Sequence, residues 1–590
     1  MKKLKLTAIL YNKEDSLQFK KDKLKVDLII ALSPDAMSEL KNIGIPVESS
    51  SRYLTNYRQA RVLARVRKME KDFHKTLDQQ TFLPTAVRET LFHQVHVLSC
   101  SAAMVWEILS EEGPWLLCLN HKWVRIEDRL VAQINILKKM RSNAKIMFTD
   151  YIGMPAFSGL LKKIVNSIYK SFTFQNILIY EIGYGMKNLL SHIEKQNSSI
   201  KSLEIVTSKK GIKGLLITLI KILRLIFKRD ILLIISEKPV KTVDKNLEKI
   251  FSNITDQIIL SVINLNKMEF ANTINSLNGL YKNVNILFNL LKPALVLGHQ
   301  FRWMSTCVVS NVAKEKSVDC YLISQGSHTA GNTSCAAYER KIIARGNLFS
   351  DLSNSNIMQS PQAEACLNQC DPEIKGKRSR PIMWGYKEKI IFKKSKEYQT
   401  ILVAGTSKAL ATPRPWIYET PNEFVEGLIS LILVTQKLEK TKLIIRIRSM
   451  IECSVPSLKK LLPKLDHYEI KTSGLFLDDL ASADLLVSFS STSIEEALNA
   501  YCPVLLWGGS LRYSHLPARS EHPTENDRGA VYQPKTKKDL APLLRAILFA
   551  HARRPLTKDE LSEYIWSNDI PDISVIAEEI TSHFSTTLVN

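Results

Sequence analysis

Short apolar runs recur along the chain, each ending in a small or polar turn and each followed by helical spacing. The first, Val26 to Leu32, ends at Ser33-Pro34-Asp35; a helical pattern follows, and Gly44-Ile45-Pro46-Val47 opens the next strand. A charged helical stretch runs from Tyr57 to Gln79. Trp115 to Leu119 leads into Asn120-His121, and Ala144 to Phe148 leads into Thr149-Asp150. A second group begins at Lys292 with an apolar run before His299, then a helix, then Val318 to Thr329. Arg340 to Gly346 reads as a further strand and residues 350–380 as a polar crossover or linker. The last third restarts with a strand at Gln399 to Ser407, a helix over 421–438, a strand over 442–449, a helix over 458–465 and a strand at His467. It then reaches ADLLVSFSSTSIEEALNAYCPVLLWGG, residues 483–509, and a helical C-terminal region. Strands alternating with helices predict parallel, doubly wound α/β sheets.

Residues 209–229, KKGIKGLLITLIKILRLIFKR, break this grammar. Lys210, Lys213, Lys221, Arg224 and Lys228 fall near one stripe of a 3.6-residue helix, with Leu, Ile and Phe around the rest. Such a basic amphipathic helix is expected in an anionic membrane interface. The alternative is a packed helix whose lysines snorkel to solvent.

Composition adds a bias towards anionic partners: 81 Lys+Arg stand against 58 Asp+Glu, a formal charge of +23. With no nucleic-acid-binding signature beside it, membrane or nucleotide-sugar is the expected partner, and nucleic acid is not. The nine cysteines are odd in number, and the Cys366–Cys370 spacing lacks a second pair or a nearby His to complete a zinc set. The basic N-terminus has too short an apolar run for a signal peptide, and no apolar stretch is long enough to span a bilayer. The expected location is cytoplasmic, peripheral at the inner face of the plasma membrane.

The block at 483–509 carries the chemistry. A buried strand ends in Ser490-Ser491-Thr492, a helix starts at Ile494, and Glu496 lies in its first turns. Hydroxyls and free amides at a helix start suit an anion, although Ser-rich turns are also ordinary helix caps. The order Leu480-Ala481-Ser482-Ala483-Asp484, Ser490-Ser491-Thr492, Glu496-Ala497, Pro503-Val504 resembles the donor half of GT-B glycosyltransferases. Among these it is most similar to bacterial capsule and lipopolysaccharide enzymes, including Kdo transferases and bacterial sialyltransferases. The likeness spans about Lys292 to Gly509.

The resemblance implies two Rossmann-like domains facing a cleft. These would be an acceptor domain over 1–384, with a helical insertion at about 195–290, and a nucleotide-sugar domain over 385–590 with C-terminal helices. It places the donor phosphate on Ser490, Ser491 and Thr492; Glu496, by its place in the first turns of the helix, is in reach of a ribose hydroxyl, and the Gly405-Thr406-Ser407 loop joins this donor set. In relatives a Gln-His-Gly lines the cleft. Here the sequence is Gln325-Gly326-Ser327-His328, with the His displaced. Where relatives have His-Pro, this chain has Arg446, Arg448 and Ser449, and arginine holds phosphate bidentately.

The implied function is transfer of a sugar to a glycan or lipid-linked acceptor in bacterial surface polysaccharide synthesis (capsule, lipopolysaccharide or O-antigen). The donor is a CMP-activated ulosonic acid, with a UDP-sugar as rival. An acceptor hydroxyl needs a general base, for which His299, His328 and Asp150 are the candidates at strand ends, after which comes His121. No Asp-x-Asp stands at a strand end, so no metal is expected; Asp478-Asp479 is read as a helix cap. The rival readings are a nucleotide-sugar epimerase of the same fold, a basic nucleic-acid-binding protein, and a non-catalytic scaffold.

Overall fold

The computed structural model describes residues 6–40, 43–80, 83–109, 113–143, 158–174, 176–183, 185–208, 211–235, 245–302, 304–324, 326, 328–384, 398–405, 407–412, 414–448 and 450–586. The chain is α/β, with parallel sheets in three Rossmann-like units. The first contains β1 (Thr7–Leu10), β2 (Leu28–Ala31), β3 (Val47–Ser49), β4 (Trp115–Leu119) and β5 (Lys122–Ile126), in the order β3-β2-β1-β4-β5. The middle unit contains β6 (Ile177–Tyr180), β7 (Lys201–Thr207), β8 (Ile231–Ile234), β9 (Leu295–Gly298), β10 (Asp319–Ile323), β11 (Ser355–Met358) and β12 (Lys377–Arg378). Their order is β12-β11-β10-β9-β6-β7-β8. The last contains β13 (Gln399–Ala404), β14 (Thr441–Arg446), β15 (Tyr468–Lys471), β16 (Leu485–Ser488), β17 (Val504–Leu506) and β18 (Val531–Tyr532), in the order β15-β14-β13-β16-β17-β18. Every pairing between these strands is parallel except the β4–β5 hairpin. Asn120 and His121 form its two-residue turn, both at positive φ (49° and 63°), which is the turn a right-twisted hairpin favours.

Residues 1–384 hold two sheets, and β7 and β8 lie within the segment read as a helical insertion. β8 is four fully buried residues, ILLI, as a strand covered on both faces should be. Arg340 to Ala344 is the end of a helix, Ser334–Ala344, with Arg345 and Gly346 just past it; its start is capped by Thr333 accepting from the Ala336 amide. The 350–380 stretch is β11, the helix Pro361–Cys370 and β12 rather than a linker.

One apolar core joins the first two units: Ile9 and Ile30 share it with Leu203 and Val296, through the helices Asn56–Asp78, Thr85–Ile108 and Lys267–Leu291. The last unit has separate cores on either face of its sheet. The final helix, Ile573–Thr586, leaves the last unit. Its Ile576, Ala577, Ile580 and Phe584 pack on Leu189, Leu190 and Ile193 of the middle unit. The carboxyl edge of the first sheet is plugged by the last unit. Tyr11 Oη donates to Glu452 Oε1 at 2.8 Å, and Asn422 Nδ2 donates to the carbonyls of Ala31 and Leu32 and to Ser50 Oγ.

The basic helix spans Gly211–Phe227. Two of the cations expected to face lipid are half-buried and committed to partners on the protein. Lys221 Nζ donates to the Thr207 carbonyl at 2.7 Å, and Arg224 is held by Asp230 and Glu204. Lys228 is exposed; Lys210 and the Lys213 side chain lie outside the described residues.

Candidate active site

In an open parallel sheet, ligands bind beyond the carboxyl ends of the strands at the point where strand order reverses. Both large sheets have the order 3-2-1-4-5-6 from their own first strands, the middle one with a seventh strand added. Their reversal points fall between β6 and β9 and between β13 and β16. The residues just past those strands are Glu181 and His299 in the middle unit. In the last unit they are Gly405 and the Phe489–Thr492 turn.

The turn is built partly from bonds of its own. Ser491 Oγ accepts from the Ser493 amide at 3.2 Å, while Thr492 makes no capping hydrogen bond. The helix behind it, Ser493–Asn499, has only seven residues, so its dipole is a minor attraction and the hydroxyls matter more. Ser490 is buried, with Oγ 3.2 Å from His515 Nδ1. Arg340 Nη2, which can only donate, also lies 3.0 Å from that nitrogen. The His515 proton is therefore on Nε2, which donates to Glu495 Oε1 at 3.2 Å. Burial holds this imidazole below its usual range, against the pull of Glu495. Arg340 belongs to the middle unit, so this chain of bonds ties the turn to the facing lobe. Ser491 and Thr492 remain half-buried, and the buried Oγ atoms of Ser488 and Ser493 have no hydrogen-bond partner among the described residues. Burial, then the adjacent Glu495, pushes the Glu496 carboxyl up to about 7, with Arg448 opposing. Arg448 is exposed.

Arg446 is placed differently from expectation: its guanidinium is taken by Asp479 and by the carbonyls of Ser473 and Gly474. Asp479 also accepts from Lys471 at 2.8 Å, so it anchors cations rather than capping its helix. Ser407 is half-buried, its Oγ 3.6 Å from Met450 Sδ. Thr406, Gln325 and Asp150 lie outside the described residues, and His121 is exposed in its hairpin turn.

In the middle unit, His299 Nδ1 lies 3.0 Å from Glu181 Oε2, with both side chains mostly buried. Desolvation drives the two in opposite directions: the carboxyl up to about 7 and the imidazole down to about 4. The result is a carboxyl that titrates near neutral pH beside an uncharged imidazole at the strand-order reversal, an environment that suits proton transfer, with neither of the two facing atoms aligned in a hydrogen bond. Gly183 leaves it room, since a Cβ there would stand 2.9 Å from His299 Nδ1.

His328 is buried, and neither ring nitrogen has a hydrogen-bond partner among the described residues. Burial, with the charges of Arg340, Arg302 and His515, holds it neutral, down to about 3. A buried N–H without an acceptor costs about 1–3 kcal/mol, so the site asks for a partner. Three guanidiniums are buried where the two units meet: Arg302, Arg340 and Arg414. Arg302 is pushed down to about 9 by burial and by Arg414. Arg414 Nη1 has no hydrogen-bond partner among the described residues. Glu339 is also buried beside them, but accepts the Trp416 and Ile417 amides. Arg302 and Arg414 repel one another and an anion would stabilise them, whereas Arg340 already has the Glu495 and Glu339 carboxylates near it; a guanidinium fork fits phosphate or carboxylate. Sequence reading missed Glu181, Arg302, Arg340, Arg414 and His515. Arg302 stands three residues beyond His299, but the rest are far apart in sequence and meet only through the fold.

No protein-family model matches the chain, and no curated protein does. Among solved structures, it is similar to a UDP-GlcNAc 2-epimerase from Neisseria meningitidis bound to UDP-GlcNAc (12% identity, covering 70% of this chain and 100% of that one, TM-score 0.38). It is similar to the apo form of the lipopolysaccharide outer core galactosyltransferase WaaB (10%, 70% and 100%, TM-score 0.38). It is also similar to a variant of the wall teichoic acid polymerase TagF (10%, 78% and 97%, TM-score 0.34). At such distances the functional reading has to rest on this chain's own residues.

Two further polar features lie elsewhere. His96, Cys100 and Glu339 place ligand atoms within 4.8 Å of one another, but His96 Nδ1 already pairs with Glu70 at 2.6 Å and Glu339 holds two amides. A cavity of about 480 Å³ is lined by His74, Arg88, Glu89, Lys314 and Arg345.

Proposed function

We propose that the chain is a glycosyltransferase that binds a nucleotide-activated sugar between its middle and last units and passes the sugar to a surface-glycan acceptor. The observation that carries this reading is the burial of the Arg302, Arg340 and Arg414 guanidiniums beside His328, whose ring nitrogens have no hydrogen-bond partner among the described residues. It adjoins the hydroxyl-lined turn at a strand-order reversal. That combination favours a phosphate-bearing ligand over a neutral one. Ser491, Thr492 and Arg448 are the groups left to take donor oxygens, Glu496 a ribose hydroxyl, and Ser490 acts through His515. The Glu181–His299 couple supplies the base for the acceptor hydroxyl, the carboxyl holding the imidazole in place as the proton moves. A CMP-activated acidic sugar is the preferred donor, because its carboxylate adds a second anion for the arginines. A UDP-sugar is the rival. A lipid-linked glycan is the proposed acceptor.

The test is a thermal-shift screen of the full chain against CMP, UDP, GDP and dTDP. A nucleotide at a hundredfold excess over Kd stabilises by about 2.7 kcal/mol. Stabilisation by CMP above the others, lost in Ser491→Ala/Thr492→Ala, is expected. No shift with any nucleotide overturns the reading.

A second reading is favoured by the same Glu181–His299 pair, which equally suits removal of a proton from carbon. It makes the chain a nucleotide-sugar epimerase. Consumption of UDP-GlcNAc without acceptor, followed by proton NMR, decides between the two.

A further inference from the structure

We infer that the helix Gly211–Phe227, with its neighbour Ser158–Lys170, is a membrane-docking face that inserts apolar side chains into the interfacial layer of an anionic bilayer. The inference stands on the shape and charge of this surface and does not depend on what the crevice binds.

One side of the 211–227 helix, carrying Thr218, Ile222 and Leu225, is buried against the protein. The opposite side is apolar and open to solvent: Leu216 is 62% exposed, Leu219 43%, Ile220 56%, Leu223 52%, Ile226 42% and Phe227 80%. Scattered exposed leucines are normal on any protein, but a continuous row at helical spacing is not. The adjoining helix extends the row with Leu160 and Ile164, both exposed. The usual arrangement, polar side out and apolar side in, is therefore doubled here: apolar inward for the core and apolar outward for something else.

Charge selects the occupant. Neither helix contains an Asp or Glu. Lys163 and Lys170 on one and Lys228 just past the other are exposed along the apolar row. A protein partner covering this face would have to be apolar with an acidic rim. A bilayer with anionic headgroups supplies both at once and complements the chain's +23 charge. Among the described residues no helix is long and apolar enough to cross a membrane, so the contact is one that lies in the interface. The committed Lys221 and Arg224 serve this arrangement indirectly. They pin the helix to the sheet through Thr207, Glu204 and Asp230 and leave the apolar row facing out.

The test is co-sedimentation of the full chain, without nucleotide, with vesicles of phosphatidylcholine alone or with a quarter phosphatidylglycerol. Binding to the mixed vesicles is expected, weakened but not abolished in half-molar salt, because the apolar part is not screened. Leu219→Ser/Leu223→Ser/Phe227→Ser alters exposed side chains only and is expected to keep the wild-type melting curve while binding at least about tenfold more weakly. Lys163→Glu/Lys228→Glu is expected to lose mainly the salt-sensitive part. Wild-type protein left in the supernatant overturns the inference, as does a serine variant that binds like wild type. A concentration-dependent dimer dissolved by the serine substitutions also overturns it, by showing that a second copy covers the face.

Discussion

Replacing Glu181 by Gln tests the acid–base couple through stability before any substrate is known. Desolvation raises this carboxyl from 4.5 to about 7, so between those values the native state keeps a proton that the unfolded chain has released. The unfolded state then binds fewer protons, and stability falls as pH rises through that window. Above it the burial stands for about 3 kcal/mol of lost stability, at roughly 1.4 kcal/mol per pH unit. An amide of the same shape carries no charge, and it still accepts hydrogen bonds where Gln300 and Thr306 now donate to the carboxylate. Glu181→Gln should therefore stabilise the ligand-free protein by about 2 kcal/mol at pH 8, allowing for imperfect pairing of the new amide. At pH 5 the gain should shrink below about 1 kcal/mol. For a unit of this size the pH 8 gain is a rise of about 4–8 °C in the transition that reports the middle sheet. Calorimetry of wild type and variant at both pH values reads it directly, and turnover should be lost in the same variant. An equal effect at the two pH values, or a loss of stability at pH 8, would refute the assignment of a raised carboxyl at this position.

The remaining expectations test other links. Arg414→Met should weaken binding of the favoured nucleotide by about 10–100-fold, measured by titration calorimetry, because a charge-assisted bond to phosphate is lost. Arg446→Met should lower stability by about 1–2 kcal/mol, through Asp479 and the Ser473 and Gly474 carbonyls, yet leave nucleotide affinity within about twofold. Asn422→Ala removes a side chain that bonds two carbonyls and a hydroxyl of the first unit. It should cost about 1–3 kcal/mol and increase amide exchange at the ends of β1 and β2.

The last unit was the most readable part of the sequence. Its strands are short apolar runs separated by turn residues, and the β13 and β16 runs stop within a few residues of where the structure ends them. The middle sheet was harder to read. β8 follows the apolar 211–227 helix after only Lys228, Arg229 and Asp230, so helical and strand apolar runs merge in the sequence. The break is a left-handed residue, Arg229 at φ 51°, where no glycine marks it. Arg340 to Gly346 looked like a strand because Ile342-Ile343-Ala344 is a short apolar run, although Thr333 ahead of it was a legible cap. His299 could be singled out as a strand-end residue. Its partner Glu181 could not, since only the adjacency of β6 and β9 brings them together. The arginines were illegible for the same reason. Arg446 was read from the correct strand end, but its commitment to Asp479 depends on a helix three elements later.

Hydrogen exchange of the full chain with and without its best-stabilising nucleotide tests the central claim most directly. The account predicts slowed exchange in two places at once, across 488–496 in the last unit and across 299–302 and 328–340 in the middle unit. Protection confined to one unit, or centred on the first sheet, would contradict a ligand held between the two reversal points.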